Sequence, residues 1–242
     1  MIIFYFYLFL LFYIIFAKII YTTHKIKIFK LIFDTIIVSI LFILAMPIYL
    51  LISMILFLLE GSPVLYKSKR LVSKTKEVRI YKFRTMVLNA SSNEFDLKGR
   101  FMKDGFLNIP LSHRVYTPIG RILEKYQLVE LPQLLNIIRN GMSLVGNRPL
   151  PKDNVQQFKD SNLSYEKRFY SPAGVTGISQ IVNKHKLSAS QRLELEMLYS
   201  EVYLNGRVLL LDIKIIYLTL FYILLSRDIS FDDAISLLKS HL

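Results

Sequence analysis

The sequence predicts a membrane-associated, mainly α protein with a short β element: a re-entrant membrane helix hairpin attached to a small cytoplasmic α/β domain. Three observations predict it. Apolar residues make up 53% of the 242 and are concentrated in residues 1–20, 31–59 and 208–225. A proline, Pro47, lies in the middle of the second apolar stretch. Basic residues flank that stretch on both sides, where a full crossing would place them on opposite faces of a bilayer.

Residues 1–22 read as an N-terminal transmembrane anchor. The first 17 carry no charge, and about 20 apolar residues span a bilayer as a helix. A cleaved signal peptide would need a basic n-region and a small-x-small cleavage site, and neither is clear. The next flank holds Lys18, His24, Lys25, Lys27 and Lys30, and the far flank of the second stretch holds Lys67, Lys69, Arg70, Lys74 and Lys76. The positive-inside rule places both on the cytoplasmic side. Proline removes a backbone donor and breaks or kinks a helix. Residues 28–60 are therefore expected to form a helix broken at Pro47 that enters and leaves by one face. A kinked ordinary span is the alternative.

Residues 61–206 are expected to form the cytoplasmic domain. Glu77–Phe83 alternates loosely and is rich in β-formers, which predicts a strand. Residues 89–113 read as a loop, and Thr117–Tyr126 as a short helix. In Glu130–Gly141, Pro132 suits a first helical turn and Gly141 a helix stop. Ser188 is an expected cap for a helix running to Leu204. Residues 207–242 follow, with an apolar run at 208–225 interrupted by Asp212 and Lys214. That run reads as an interfacial helix or as a core helix of the domain.

Composition narrows the chemistry. The net charge is +13, from 31 Lys+Arg against 18 Asp+Glu, and there is no cysteine. Disulfides, thiolate metal sites and thiol nucleophiles are excluded. The basic balance points to anionic lipid and phosphorylated substrates. No nucleic acid partner is expected, because no helix-turn-helix or RNA-binding signature is present. The four histidines lack metal-ligand spacing, and there is no P-loop, dinucleotide fingerprint or nucleophile elbow.

Glu130 is the carboxylate of most interest. Just ahead of a helix begun by Pro132, it can hold Mg²⁺ together with a diphosphate or simply complement the helix dipole. Arg148, in a loop stiffened by Pro149 and Pro151, has the geometry of a bidentate phosphate ligand or of a surface turn. Lys69, Arg70, Lys82 and Arg84 surround the expected strand and can support phosphate or rest on anionic lipid. Gln133 and Asn136 could share a polar helix face with the site, or belong to the helix surface.

Together these segments resemble the monotopic phosphoglycosyl transferases, bacterial sugar transferases that begin capsule, O-antigen and exopolysaccharide repeat units. The resemblance runs from about Ile28 to Thr219. It is carried by Lys30, Asp34 and Pro47, by Gly61-Ser62-Pro63-Val64 with Lys69-Arg70, and by Tyr-Lys-Phe-Arg-Thr-Met at 81–86. Glu-Leu-Pro-Gln-Leu at 130–134, Met-Ser-Leu-Val-Gly-Asn-Arg-Pro at 142–149 and Pro-Ala-Gly-Val-Thr-Gly at 172–177 continue it. Glu196, Tyr199 and Asp212-Ile213-Lys214 complete the pattern.

The resemblance implies an enzyme of the bacterial inner (cytoplasmic) membrane, its catalytic domain facing the cytoplasm. It would move a sugar phosphate from a UDP-sugar to polyprenyl phosphate and release UMP, with Mg²⁺ as cofactor. The lipid bilayer, a second copy of the chain or other glycan-assembly enzymes would be its partners. In the family an Asp-Glu pair opens the Glu-Leu-Pro-Gln segment; the Asp attacks phosphorus and the Glu serves Mg²⁺. Here the Asp is replaced by Val129, and Glu130 alone remains. Asn140-Gly141 stands for the frequent Gly-Asp, Asn147 for a Pro and Met46 for a Ser. Three readings follow: a transferase centred on Glu130, with Glu130 as nucleophile or with direct attack by polyprenyl phosphate; a silent relative that binds substrate or regulates a partner; or a membrane-anchored interaction protein.

Overall fold

The computed structural model describes residues 23–103, 106–161, 164–182, 187–225 and 227–242. The expected anchor at 1–22 lies outside these residues. The chain is mainly helical. Helix α1 (Thr23–Glu60) leads into the antiparallel hairpin β1 (Leu65–Leu71) and β2 (Glu77–Phe83). The short elements α2 (Leu97–Phe101), β3 (Met102–Lys103), β4 (Phe106–Leu107) and α3 (Pro118–Lys125) follow. A 3₁₀ turn, Leu128–Gln133, runs into α4 (Leu134–Asn140) and then β5 (Ser143–Val145). Next come α5 (Lys152–Ser161), a second 3₁₀ turn (Tyr165–Phe169), β6 (Gly174–Thr176) and α6 (Ile178–Ile181). The chain closes with α7 (Ala189–Leu204), α8 (Val208–Leu225) and α9 (Phe231–Lys239). Among the described residues the strands form three two-stranded sheets.

The expected break at Pro47 is not a break in the helix. Assignment is continuous over the 38 residues of α1, with Pro47 inside. At 1.5 Å per residue the helix is about 57 Å long. Proline removes one backbone bond locally, and packing on both sides of it holds the turns. Phe42 and Ala45 pack with Val38 against Val78 and Ile80 of β2 and Leu134 and Ile137 of α4. Tyr49, Ile52 and Leu56 pack against Phe83, Leu123 and Val129.

These residues recur every three or four positions, so they form one stripe along α1. The opposite face stays apolar and exposed: Ile43 is 70% exposed, Leu44 67% and Leu59 72%. Helix α1 is long and apolar enough to cross a membrane. Near its start, Lys30 is buried and donates to Asp212 of α8 (2.6 Å) and to the Val145 carbonyl (3.2 Å). Near its end, Leu56 is fully buried beside β2 and α3. Both ends of α1 are therefore docked on the same domain.

Local signals set most of the remaining elements. Thr117 caps α3 by accepting from the Gly120 amide, and Ser188 and Gln191 form a capping box at α7. Gly141 ends α4 at φ 71°, in the left-handed region that glycine tolerates. Helix α8 carries features of both readings of its apolar run. Val208, Leu209, Leu211 and Ile215 are core, whereas Leu210, Tyr217, Leu220 and Phe221 are exposed.

Candidate active site

The hairpin sets the geometry of the site. Residues directly opposite on an antiparallel pair share a face, and neighbours along a strand alternate. The register pairs Tyr66 with Lys82, Ser68 with Ile80 and Arg70 with Val78. These six side chains therefore share the face turned towards the 3₁₀ turn and α4, where Val78 and Ile80 are core. Lys67, Lys69, Arg79 and Tyr81 share the other face, and Lys67 lies over the Tyr81 ring.

The 3₁₀ turn brings Glu130 to the first face. Its Oε1 accepts from Lys82 Nζ at 2.7 Å and from Arg148 Nη2 at 3.4 Å. The three side chains retain 13–24% exposure, so the ion pairs are half-buried yet reachable. Arg70 joins them: burial first, then the Arg148 charge, lowers its pKa, while Tyr66 and Glu130 oppose the shift. Three cations thus face one carboxylate. Such an excess is unfavourable in a half-buried place unless an anion shares it, and a diphosphate fits that need. The helix expected from Pro132 begins instead at Leu134, and Pro132 lies inside the 3₁₀ turn. Glu130 is therefore held by cations rather than by an α-helical N-terminus.

Val129 points the other way. It is 2% exposed and packs with Ile52, Leu56, Phe83 and Leu123. No group at position 129 can attack phosphorus.

A buried network holds the loop that carries Arg148. Asn147 is 4% exposed, and its Nδ2 donates to the carbonyls of Arg168 (2.8 Å) and Glu196 (2.9 Å). Arg168 donates through Nη2 to the Arg148 carbonyl (2.8 Å) and through Nε to Glu196 Oε2 (2.7 Å). It also stacks over Phe158 and Phe169. Arg192 of α7 lies nearby. Burial, with the charges of Arg148 and Arg168, pushes its pKa down to about 10 against the pull of Glu196. At about 1 kcal/mol per hydrogen bond, Asn147→Ala is expected to lower stability by about 2 kcal/mol, read by thermal unfolding.

The other sequence candidates divide. Lys69 lies on the far face of the hairpin and is exposed, so it does not join the cluster. Arg84, just past β2, turns to the end of α1, where Nη2 donates to the carbonyls of Glu60 (2.7 Å) and Gly61 (3.1 Å). A cation suits those terminal carbonyls. Asn136 is fully buried and clamps the β2 backbone: its Oδ1 accepts from the Tyr81 amide (3.1 Å) and its Nδ2 donates to the Arg79 carbonyl (2.7 Å). It holds the strand rather than a ligand. Gln133 is 3% exposed and three residues after Glu130. Side chains at that spacing eclipse in a 3₁₀ turn, so it sits beside Glu130.

Sequence reading missed Arg168 and Arg192, which look like ordinary surface charges until their packing is seen. Among the described residues, no three His, Asp or Glu side chains cluster as a metal site. Among the described residues, Glu130 alone offers a carboxylate at the cation cluster. One carboxylate completed by diphosphate oxygens does fit Mg²⁺, which keeps most of its ligands from water and substrate.

Comparison with known proteins agrees with the motifs. The family model described as bacterial sugar transferase matches residues 25–226. The uncharacterized sugar transferase EpsL of Bacillus subtilis is 34% identical over 169 residues, covering 70% of this chain and 74% of that protein. The exopolysaccharide production protein ExoY of Sinorhizobium fredii is 30% identical over 207 residues, 81% of this chain and 85% of ExoY. A UDP-glucose:undecaprenyl-phosphate glucose-1-phosphate transferase of Klebsiella pneumoniae is 28% identical over 80% of this chain, which spans only 40% of that longer protein. The match across most of the chain, with the ordered motifs around Glu130 and Arg148, makes this protein a member of the bacterial sugar transferase family, the phosphoglycosyl transferases that its sequence resembles.

Proposed function

We propose that the chain transfers a sugar 1-phosphate from a UDP-sugar to undecaprenyl phosphate, releasing UMP, as the first step of an exopolysaccharide, capsule or O-antigen repeat unit. The observation that carries this reading is the single carboxylate, Glu130, held among Lys82, Arg148 and Arg70 while Val129 is withdrawn into an apolar cluster. The name of the Klebsiella pneumoniae relative supplies the donor and acceptor classes, and that of ExoY the exopolysaccharide pathway.

In this reading Lys82 and Arg148 leave Glu130 for the donor's diphosphate oxygens as substrate enters. The freed carboxylate attacks the phosphorus next to the sugar. A Glu130 O–P bond forms, the P–O bond to UMP breaks, and UMP departs with the electron pair. A phosphate oxygen of undecaprenyl phosphate then attacks the same phosphorus, which forms the lipid diphosphosugar and returns the carboxylate. Two displacements through a carboxylate are ordinary covalent catalysis. Mg²⁺, when bound at Glu130 and the diphosphate, would neutralise phosphate charge.

The apolar outer faces of α1 and α8 support a site at a bilayer surface, in this reading the cytoplasmic membrane of the bacterium. Docking of α1 on the domain along its length, with its opposite face apolar and exposed, supports a helix held against that surface. The acceptor's phosphate then reaches Glu130 from the lipid.

The test omits the acceptor. With UDP-sugar alone, the protein is expected to release about one UMP per site and to gain the mass of the sugar phosphate on the peptide containing Glu130. UMP formation that requires undecaprenyl phosphate, with no labelled peptide, would rule out the covalent route in favour of direct attack by the lipid. A second reading draws on Val129: a family member without the usual nucleophile can bind UDP-sugar and regulate a partner without turnover. Nucleotide binding with no UMP under either condition would favour it.

A further inference from the structure

Two side-chain atoms beside the cation cluster are buried without a hydrogen-bond partner: Ser68 Oγ and Gln133 Nε2. Ser68 is 8% exposed and Gln133 3%. Ser68 lies between Tyr66 and Arg70 on β1, opposite Ile80, on the face that also carries Lys82. Gln133 eclipses Glu130 on the 3₁₀ turn. The two atoms therefore flank Arg70, Lys82 and Glu130 from the sheet and from the turn.

A buried hydroxyl or amide left without a partner is destabilising. Both are donors, and both sit beside an excess of cations. An acceptor that is also an anion satisfies the donors and the charges together. An apolar ligand would leave the donors unmet, and a cation would oppose Arg70 and Lys82.

We propose that Ser68 is a donor-substrate ligand, and that Ser68 Oγ and Gln133 Nε2 donate hydrogen bonds to non-bridging oxygens of the nucleotide's diphosphate. Nothing in the sequence motifs assigns Ser68 a role. The inference rests on the nucleotide-sugar reading of the site and adds the neutral donors that orient the diphosphate among the cations. Cations attract a phosphate from many directions, whereas a hydroxyl and an amide fix its rotation.

The experiment uses the full chain in lipid nanodiscs, with UDP as the probe, titrated with and without Mg²⁺. Ser68→Ala and Gln133→Met remove the donors, and Ser68→Thr keeps the hydroxyl. A hydrogen bond to a charged group is worth about 1.5–3 kcal/mol, so each loss is expected to weaken UDP binding by about 10-fold or more. Ser68→Thr should bind within about threefold of wild type. The melting temperature of Ser68→Ala should hold or rise, because the alanine leaves no orphaned polar atom. A purely structural hydroxyl would show the reverse, a lower melting temperature with unchanged UDP affinity.

Wild-type UDP affinity in both Ser68→Ala and Gln133→Met would overturn the inference and leave the transferase reading standing. A loss confined to undecaprenyl phosphate binding would also overturn it, since the ligand would then be the acceptor's phosphate. Failure of wild type itself to bind UDP would overturn the nucleotide-sugar reading, and this inference with it.

Discussion

Glu130→Gln is expected to lower the rate of UMP formation by at least about 10³-fold while leaving UDP binding intact or tighter. The argument is electrostatic. Among the described residues, Glu130 is the one carboxylate paired with this cluster of Arg70, Lys82 and Arg148. An amide of the same shape cannot attack phosphorus, so the covalent step is lost. About 10³-fold corresponds to about 4 kcal/mol of barrier, a size reached when a reacting group is removed. The same change frees Lys82 and Arg148 from their ion pairs, so the cluster becomes more positive and holds a diphosphate at least as well. Activity and binding move in opposite directions. Single-turnover UMP release and UDP titration on the same preparation check both halves. A general loss of fold would weaken both, and a surface role for Glu130 would change neither.

Val129→Asp is the second large effect, and here the family's usual residue should do harm. Position 129 is 2% exposed among Ile52, Leu56, Phe83 and Leu123. A carboxylate placed there must stay protonated or ionise without a partner, and burial without hydrogen bonds is costly in either form. We expect a loss of about 3 kcal/mol, which for a chain of this size lowers the melting temperature by roughly 6–12 °C. UMP release should not rise above wild type. The cluster includes α1 residues, so the variant should also loosen the packing of α1 against β2 and α3. Thermal unfolding in nanodiscs reads the first effect, and the UMP assay the second. A stable Val129→Asp protein with greatly increased turnover would mean that the chain in front of Glu130 can turn a carboxylate into the site, and that Glu130 does not act alone.

Where the controlling physics is local, these elements were legible from the sequence. Thr117, Ser188 and Gly141 mark helix ends because capping depends on a few consecutive residues. Strand β2 matches the expected Glu77–Phe83 because its β-formers lie together. Strand β1, Leu-Tyr-Lys-Ser-Lys-Arg-Leu, carries no apolar alternation and reads as a basic run; pairing with β2 defines it. Missing β1 also hid the sorting of the cations. Only the register shows that Arg70 and Lys82 share a face while Lys69 lies on the other.

Distance along the chain explains the remaining differences. Asn136 reads as a helix-surface amide, yet its partners are backbone atoms of Arg79 and Tyr81, more than 50 residues earlier. Arg168 sits in a charged run, and its burial follows from Glu196, 28 residues later. The helix expected to break at Pro47 stays whole because apolar contacts from β2, α3 and α4 line both sides of the proline. Glu130 and Arg148 were visible as candidates. Their meeting, joined by Lys82 on the same carboxylate oxygen, required the fold.

The most direct test is UMP release by the unmodified chain. The full protein is placed in nanodiscs containing undecaprenyl phosphate and supplied with Mg²⁺ and a panel of UDP-sugars. The account predicts sustained UMP formation with at least one sugar, turning over only when the lipid acceptor is present. UDP-sugar binding without UMP formation across the panel would contradict it and leave a substrate-binding relative that has lost its chemistry along with the residue that Val129 replaces.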